Sequence, residues 1–349
     1  MTHTETATGR YHGPLSEEML PHLEEHLLAF DLPVRREAER LEITAPLARA
    51  ALVLTPQGLE IAIHAVDAVQ LYHMRESAMY LLDHVSPDVA AGLTWADGPA
   101  MPARPPSLHD ATVLSTRRIG ANYLRVEMAS PGAGALGRGG MHFSLLLPGE
   151  GRALVLPYLN ERGRTIWPEG PDALHRVGYT FVTLEAGPEG VGRFTFDIYL
   201  HAGGRTSDWA LAARPGERVA VMGPGGGDFP PGERLLIAGD ETALPAIRRI
   251  LEASPATRRG RALIELADPA DRCEIAAPPG VAIDWVERRP GAGLLEALRA
   301  VPMPEAGTYL WVAAEQSVVR QAKEHFRAAG RVERGLNYFS SYWEAPAAG

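Results

Sequence analysis

Residues 234–251 read Arg-Leu-Leu-Ile-Ala-Gly-Asp-Glu-Thr-Ala-Leu-Pro-Ala-Ile-Arg-Arg-Ile-Leu and narrow the fold more than any other stretch of the chain. Leu235, Leu236, Ile237 and Ala238 are apolar without alternation, the pattern of a strand buried on both faces of a parallel sheet. Gly239, Asp240, Glu241 and Thr242 then supply a turn. Ala243, Leu244, Ile247, Ile250 and Leu251 recur at helical spacing, with Pro245 inside the tolerated first turn. Strand, tight turn and helix in that order place Gly239–Thr242 at the carboxyl end of a sheet strand, where open α/β sheets bind ligands. The turn lacks the glycine spacing of a phosphate cradle, and its two carboxylates would repel an anion. It suits a polar neutral or cationic group. An ordinary capped helix behind a core strand fits the same residues.

The alternation continues to the C-terminus: strands at 261–267, 281–286 and 308–313, helices at 292–300 and 315–329, and a last strand within 337–343. This predicts a mostly parallel half-Rossmann sheet over residues 231–349. Upstream, residues 107–230 change to short strands between Gly/Pro turns, at 111–118, 121–128, 141–147, 177–184, 193–200 and 217–222. Six such strands predict a small antiparallel β-barrel. The long segment Pro148–Leu174 interrupts it, and loops of that length are functional or mobile. A second break is His201-Ala-Gly-Gly-Arg-Thr-Ser-Asp-Trp-Ala-Leu. There a short helix is expected from Thr206 or Ser207, with Ser207 as cap and Arg205 strengthening an anion site at the helix amides. A plain strand-to-helix crossover is the other reading.

Residues 1–98 read as a separate small α/β domain: a helix from Ser16 to Phe30, strands near 40–45, 48–54 and 58–64, and a helix over 67–84. His22 and His26 stand one helical turn apart, as a metal pair can, but no third ligand has a defined spacing, so solvated histidines are the simpler reading and no metal site is assigned. The proline-dense run Asp97–Pro106 marks the boundary. A net charge of -9 argues against general nucleic-acid binding, and no apolar run approaches a membrane span. One cysteine, Cys273, excludes an intramolecular disulfide framework, and the chain is expected in the cytoplasm as a monomer or homodimer.

From residue 108 to 343 the chain resembles the siderophore-interacting, FAD-binding reductases. The resemblance is carried most specifically by Ala238-Gly-Asp-Glu-Thr-Ala-Leu-Pro-Ala-Ile247. Tyr179-Thr180, Asp197-x-x-Leu-His201, Ser207-x-Trp209-Ala210, Gly223-Pro224, Trp311-x-Ala-x-Glu315 and Tyr342-Trp343 support it. It implies a ferredoxin-reductase-like plan of barrel and sheet that binds FAD, takes hydride from NAD(P)H and reduces ferric iron held by a siderophore or other ferric chelate. By the same resemblance, Thr180 lies near the flavin N5, and Asp240, Glu241 and Thr242 lie at the nicotinamide. Arg176, Tyr179, His201, Arg205, Thr206, Ser207, Trp209 and Trp343 complete the implied cofactor site. Two departures stand out. Val177 and Val182 replace the arginines of the family's Arg-x-Tyr-Thr-x-Arg motif, with Arg176 one place early, and Glu344 replaces a terminal arginine. Arg205 is placed to compensate for Val182. Arg258, Arg259, Arg288 and Arg289 lie near expected loop ends, where a guanidinium can meet a 2'-phosphate. Two other activities fit the same residues: a non-catalytic flavin-, haem- or iron-chelate-binding protein, and a general NAD(P)H flavin or quinone reductase. The N-terminal segment also resembles a small, uncharacterised bacterial α/β domain family through Arg10-Tyr11, His22, His26, Leu59-Glu-Ile-x-Ile63 and Leu82-x-His84.

Overall fold

The computed structural model describes residues 4–29, 33–96, 103–187 and 191–345. Phe30, expected to end the first helix, and residues 97–102 of the proline-rich connector lie outside them. The chain divides into two compact units, Met1–Leu108 with Pro148–His175, and His109–Leu147 with Arg176–Gly349.

The first unit opens with β1 (Glu5–His12), α1 (Met19–Ala29), β2 (Val34–Glu37), β3 (Arg40–Ala45), β4 (Ala48–Thr55) and β5 (Gly58–Ala65). It continues with α2 (Ala68–Val85), α3 (Pro87–Gly92) and β6 (Thr94–Trp95). The sheet order is β2-β3-β4-β5-β1-β6. Alternation in β5 does what the pattern predicts: Leu59, Ile61 and Ile63 are buried against a core that includes Leu20, Leu23 and Leu27 of α1. Asp67 caps α2 by accepting from the Gln70 amide at 3.0 Å. Strand β1 has no apolar period to announce it. It is specified by its partners: glycine at position 9 lets the indole of Trp95 lie close over the sheet, where an added side-chain atom would stand 3.0 Å from the ring and push it back.

The second unit begins with β7 (Leu108–Arg118), β8 (Tyr123–Ser130), the short α4 (Ala133–Leu136) and β9 (His142–Leu147). The chain then leaves it. Residues 148–174 were expected as a loop; they instead contain a two-stranded ribbon of β10 (Tyr158–Leu159) and β11 (Thr165–Ile166), and the segment Pro148–His175 belongs to the first unit. Arg164 pairs with Asp83 of α2 through both carboxylate oxygens at 3.2 and 2.6 Å, Thr165 Oγ1 lies 2.7 Å from the Tyr72 hydroxyl, and Arg162 donates to the Ala91 carbonyl at 3.0 Å. Composition could not reveal this, because the partners are 81 and 93 residues apart in sequence.

The chain returns through β12 (His175–Thr180), β13 (Thr183–Glu185), β14 (Gly192–Tyr199), α5 (Arg205–Ala212) and β15 (Arg218–Gly225). The sheet order is β12-β9-β15-β7-β8-β14-β13, seven strands where six were expected. The difference lies at Phe181-Val182, where the expected 177–184 strand bends. The Phe181 amide donates to Met141 on one side and the Val182 amide to Thr195 on the other, so one bent segment closes the barrel. Phe143, Phe181, Phe194 and Phe196 pack inside it with ring centroids 4.6 to 6.3 Å apart.

The parallel sheet comprises β16 (Arg234–Gly239), α6 (Leu244–Glu252), β17 (Arg259–Leu266), β18 (Gly280–Glu287), α7 (Leu294–Ala300), β19 (Tyr309–Glu315), α8 (Gln316–Ala328) and β20 (Asn337–Trp343). Its order is β18-β17-β16-β19-β20, all parallel. Strand β16 is central and its side chains divide between two cores. Leu235 and Ile237 join the α6 face, while Leu236 and Ala238 join the face of α7 and α8. Each fully buried leucine or isoleucine there contributes roughly 1.5–3 kcal/mol, which is why this run is apolar without alternation.

Candidate functional site

A cavity of about 420 Å³ in the second unit is lined from β9, β12, β14 and β15 of the barrel and from the carboxyl ends of β16 and β20. Glycine 239 permits the turn that forms its floor. A side chain there would meet the Ala243 Cβ at 2.6 Å and the Ala313 carbonyl at 2.7 Å.

Of the residues expected at the nicotinamide, Glu241 and Thr242 line the cavity, whereas Asp240 is turned inward. Its Oδ1 accepts from the Thr242 amide at 2.9 Å and the Thr242 hydroxyl at 2.5 Å, and its Oδ2 from the Glu315 amide at 3.1 Å and the Trp343 indole at 2.7 Å. Asp240 thus ties the ends of β16, β19 and β20 together, and Thr242 and Trp343 reach the cavity because this buried carboxylate holds them. Glu241, 2% exposed, meets Arg288 through both oxygens, and Arg288 also meets Glu265 at 2.8 Å. Burial raises the Glu241 carboxyl above its ordinary range, and the Arg288 charge opposes the rise.

On the barrel side Tyr179, Thr180 and His201 line the cavity, as does Trp343 across from them. Tyr179 packs on Phe196 at 5.1 Å and bonds to Thr206, and burial pushes its phenol up to about 12. Thr206 therefore acts behind Tyr179. Helix α5 starts at Arg205 with Gly204 as an N-cap that offers no side-chain bond. Ser207 does not cap it as expected: its hydroxyl accepts from the His201 amide at 3.2 Å and so fixes the preceding turn. Trp209 donates to Glu217 at 2.8 Å and packs against the barrel core. Arg176 and Arg205 are exposed and neither contributes to the cavity wall. Val177 does line it, while the Val182 amide serves the barrel seam.

The arginines proposed for a 2'-phosphate are engaged elsewhere. Arg258 is buried and donates to the carbonyls of Pro230 and Gly232 at 2.7 and 2.8 Å, Arg259 pairs with Glu233 at 3.2 Å, and Arg289 pairs with Glu287.

The residue that sequence reasoning missed is His142. From β9 its Nδ1 lies 3.0 Å from Thr180 Oγ1, and its Nε2 lies 3.4 Å from the Tyr342 hydroxyl. Burial, with Arg249 close by, lowers its pKa to about 4, so it is neutral at pH 7. A neutral ring has one N–H for two hydroxyl neighbours, so one hydroxyl donates to the ring and the other can aim its proton elsewhere. No signal in the strand His-Phe-Ser-Leu-Leu-Leu marked it: His142 alternates with Phe143 and Leu145, which face the barrel core, and is itself only half-buried. Arg249 of α6 braces this corner, donating to the carbonyls of Met141 and Phe181 at 3.2 and 2.7 Å. Tyr199, Tyr338 and Tyr342 were also not assigned and complete the aromatic lining.

In the first unit His22, Glu25, His26 and His84 border one hollow of about 450 Å³. Among the described residues no group of His, Cys, Asp or Glu converges to hold a metal.

Two consecutive family models match this chain: the siderophore-interacting FAD-binding domain over residues 112–228 and the siderophore-interacting protein over residues 232–346. Over that span the chain belongs to the siderophore-interacting FAD-binding family. It is 28% identical over 238 residues to the ferric vibriobactin reductase ViuB of Vibrio cholerae, covering 65% of this chain and 85% of that one. It is 28% identical over 243 residues to the NADPH-dependent ferric-chelate reductase of Escherichia coli K12, covering 68% and 92%. Among solved structures, a siderophore utilization protein from T. fusca superposes with a TM-score of 0.61 at 27% identity, over 72% of this chain and 97% of that one. The siderophore-interacting protein SipS of Aeromonas hydrophila gives 0.58 at 26%, over 68% and 92%. The antiparallel barrel and the parallel α/β sheet thus follow one another in the order that the sequence predicted. No helix among the described residues is long and apolar enough to cross a membrane.

Proposed function

We propose that this protein is a flavin-dependent reductase that draws electrons from NAD(P)H and delivers them to iron(III) in a siderophore or similar chelate, in the cytoplasm. The observation that carries the reading is that the Thr180–His142 pair of the barrel and the Glu241-Thr242 turn of the sheet line one cavity. A flat heterocycle suits that cavity. Its volume lies in the usual ligand range, and a side-chain atom added at Gly178 or Gly225 would meet nothing within 4 Å, which leaves open wall beside Tyr179.

Bound there, FAD would supply the chemistry that couples a two-electron donor to a one-electron metal, since a flavin can take up hydride and give up its electrons singly. For each NAD(P)H oxidised, two iron(III) become iron(II) and one proton is released. The chain supplies the positions. Thr180 offers a hydroxyl to the ring system, and His142, staying neutral, orients that hydroxyl without placing a charge beside it. Thr242 and Trp343, both held by Asp240, border the place where a nicotinamide would stack. Tyr179 would form a wall of the flavin site, and Arg205 at the start of α5 is the cation nearest in sequence to the turn expected at the pyrophosphate.

The test is anaerobic stopped-flow. The FAD-loaded protein should bleach on mixing with NADH or NADPH and recover its colour on adding a ferric hydroxamate with a ferrous-iron trap present. Bleaching without recovery would favour a general flavin reductase. Protein that binds FAD but bleaches with neither nucleotide would point to a non-catalytic binder.

A further inference from the structure

The sequence sets His22 and His26 one turn apart on a helix without a third ligand at a defined spacing, and the fold of the first unit supplies one. Leu23 and Leu27 of α1 and Leu82 of α2 are fully buried in one core, so the two helices are held together by packing. On their solvent side His22, Glu25 and His26 of α1 and His84 of α2, all exposed, border the hollow of about 450 Å³. The His26 and His84 ring centroids are 6.4 Å apart. Two imidazoles on one tetrahedral ion, with metal–nitrogen distances of about 2.0–2.1 Å, stand roughly 5 Å apart by centroid. Among the described residues no three ligands converge as the side chains stand. The remaining gap for this pair is about 1 Å, and rings in solvent can close it by turning about χ1 and χ2 without disturbing the core.

His84 is already oriented for ligation. Its Nδ1 lies 2.8 Å from the Tyr80 carbonyl, which can only accept, so Nδ1 carries a proton and Nε2 faces away from that bond. Histidines that bind metals are held in this way, with the far ring N–H on a carbonyl that fixes tautomer and orientation. The Tyr80 ring packs on the same imidazole at 4.2 Å between centroids. On α1 the run His22-Leu-Glu-Glu-His26 puts two imidazoles on one face, at the spacing by which helices hold zinc. Glu25 adds a carboxylate to the hollow, while Glu24 is paired with Arg36 at 2.6 Å.

We propose that His22, His26 and His84 form a binding site for a divalent first-row transition ion of the zinc class, with its fourth coordination position beside Glu25. Imidazole nitrogen selects such ions over magnesium and calcium, which take oxygen ligands. The site uses no residue of the cavity in the second unit, so it stands apart from the reductase reading.

Calorimetric titration of the full-length, tag-free, metal-stripped protein with zinc(II) in an excess of magnesium tests this. One zinc ion should bind per chain at this site, and cobalt(II) in its place should show the ligand-field bands of a four-coordinate ion beyond the flavin absorption. His26→Gln and His84→Gln should each weaken binding by at least about tenfold, since even the partner that orients a metal ligand is worth that much. His12→Gln, at an exposed position of β1 outside the hollow, should leave binding unchanged. All three side chains are exposed, so the variants keep the core intact. A loss with His26→Gln but not with His84→Gln would reduce the site to a helical pair and overturn the proposal. Equal affinity in wild type and all variants, competition by magnesium on equal terms, or no binding of zinc would overturn it as well.

Discussion

Acid should destabilise the second unit through one side chain, His142. An unfolded histidine titrates near 6.5, whereas burial holds this one at about 4 in the folded protein. The charged form is the disfavoured one, so the unfolded chain takes up its proton first. Stability is therefore complete above the unfolded value and is lost as the pH falls toward the folded one. With each pH unit inside that window worth about 1.4 kcal/mol, the loss from pH 7 is roughly 1.2 kcal/mol at pH 5.5 and roughly 2.4 kcal/mol at pH 4.5. His142→Asn removes the titration. That variant should be weaker at pH 7 by about 1–3 kcal/mol, since it loses ring packing and leaves the hydroxyls of Thr180 and Tyr342 with poorer partners. Its further loss on acidification should be smaller than that of the wild type by the amounts above. Urea denaturation at both pH values measures the difference, and the histidine ring resonances followed by NMR give the folded pKa directly. If wild type and variant lose equal stability between pH 7 and 5.5, or if the His142 resonance titrates near 6.5, the ring is solvated and its role in orienting Thr180 fails with it.

Three further outcomes follow from contacts already described. Arg288→Ala leaves Glu241 and Glu265 without their shared cation and should destabilise by about 3–5 kcal/mol, with part recovered in Arg288→Ala/Glu241→Gln, read by denaturant midpoints. Asp240→Asn turns an amide donor toward two of the four donors, whichever oxygen it replaces, so it should cost about 1.5–3 kcal/mol, read by denaturant midpoints. Arg205→Ala should weaken FAD binding by roughly ten- to a hundredfold, and Val182→Arg should partly restore it; FAD titration of the four apo-proteins decides, and unchanged affinity in Arg205→Ala removes the compensation idea.

The parallel sheet was legible in the sequence because burial on both faces forces contiguous apolar runs, as in Leu235–Ala238, and its helices carry clear 3.6-residue periods. The barrel strands were legible from alternation except where one strand serves two neighbours, at Phe181-Val182. What could not be read were features fixed by distant partners. Strand β1 depends on Trp95 covering Gly9, the 148–175 segment depends on Tyr72 and Asp83, and the inward turn of Asp240 depends on Glu315 and Trp343 arriving from the far end of the chain. Residue identity pointed to Asp240 as a site residue, and only its hydrogen bonds separate a ligand contact from an internal tie. For His142 the case is reversed. Nothing near it in sequence marks it, and its importance comes from Thr180 and Tyr342.

The excursion between Pro148 and His175 has a consequence for how the polypeptide is made. A ribosome delivers residues 4–108 first, but Tyr72 and Asp83 must wait for Thr165 and Arg164, which emerge only after β7, β8 and β9 of the other unit. Neither unit can be completed before the other has begun. The strands that carry His142 and Thr180 are joined by the very residues that complete the N-terminal unit. A gene shortened to begin at residue 109 would therefore not encode a free-standing second unit; it would encode one whose barrel trails a ribbon without its seat. Cutting the backbone of the mature protein at residue 108 should leave two fragments that elute together until denatured.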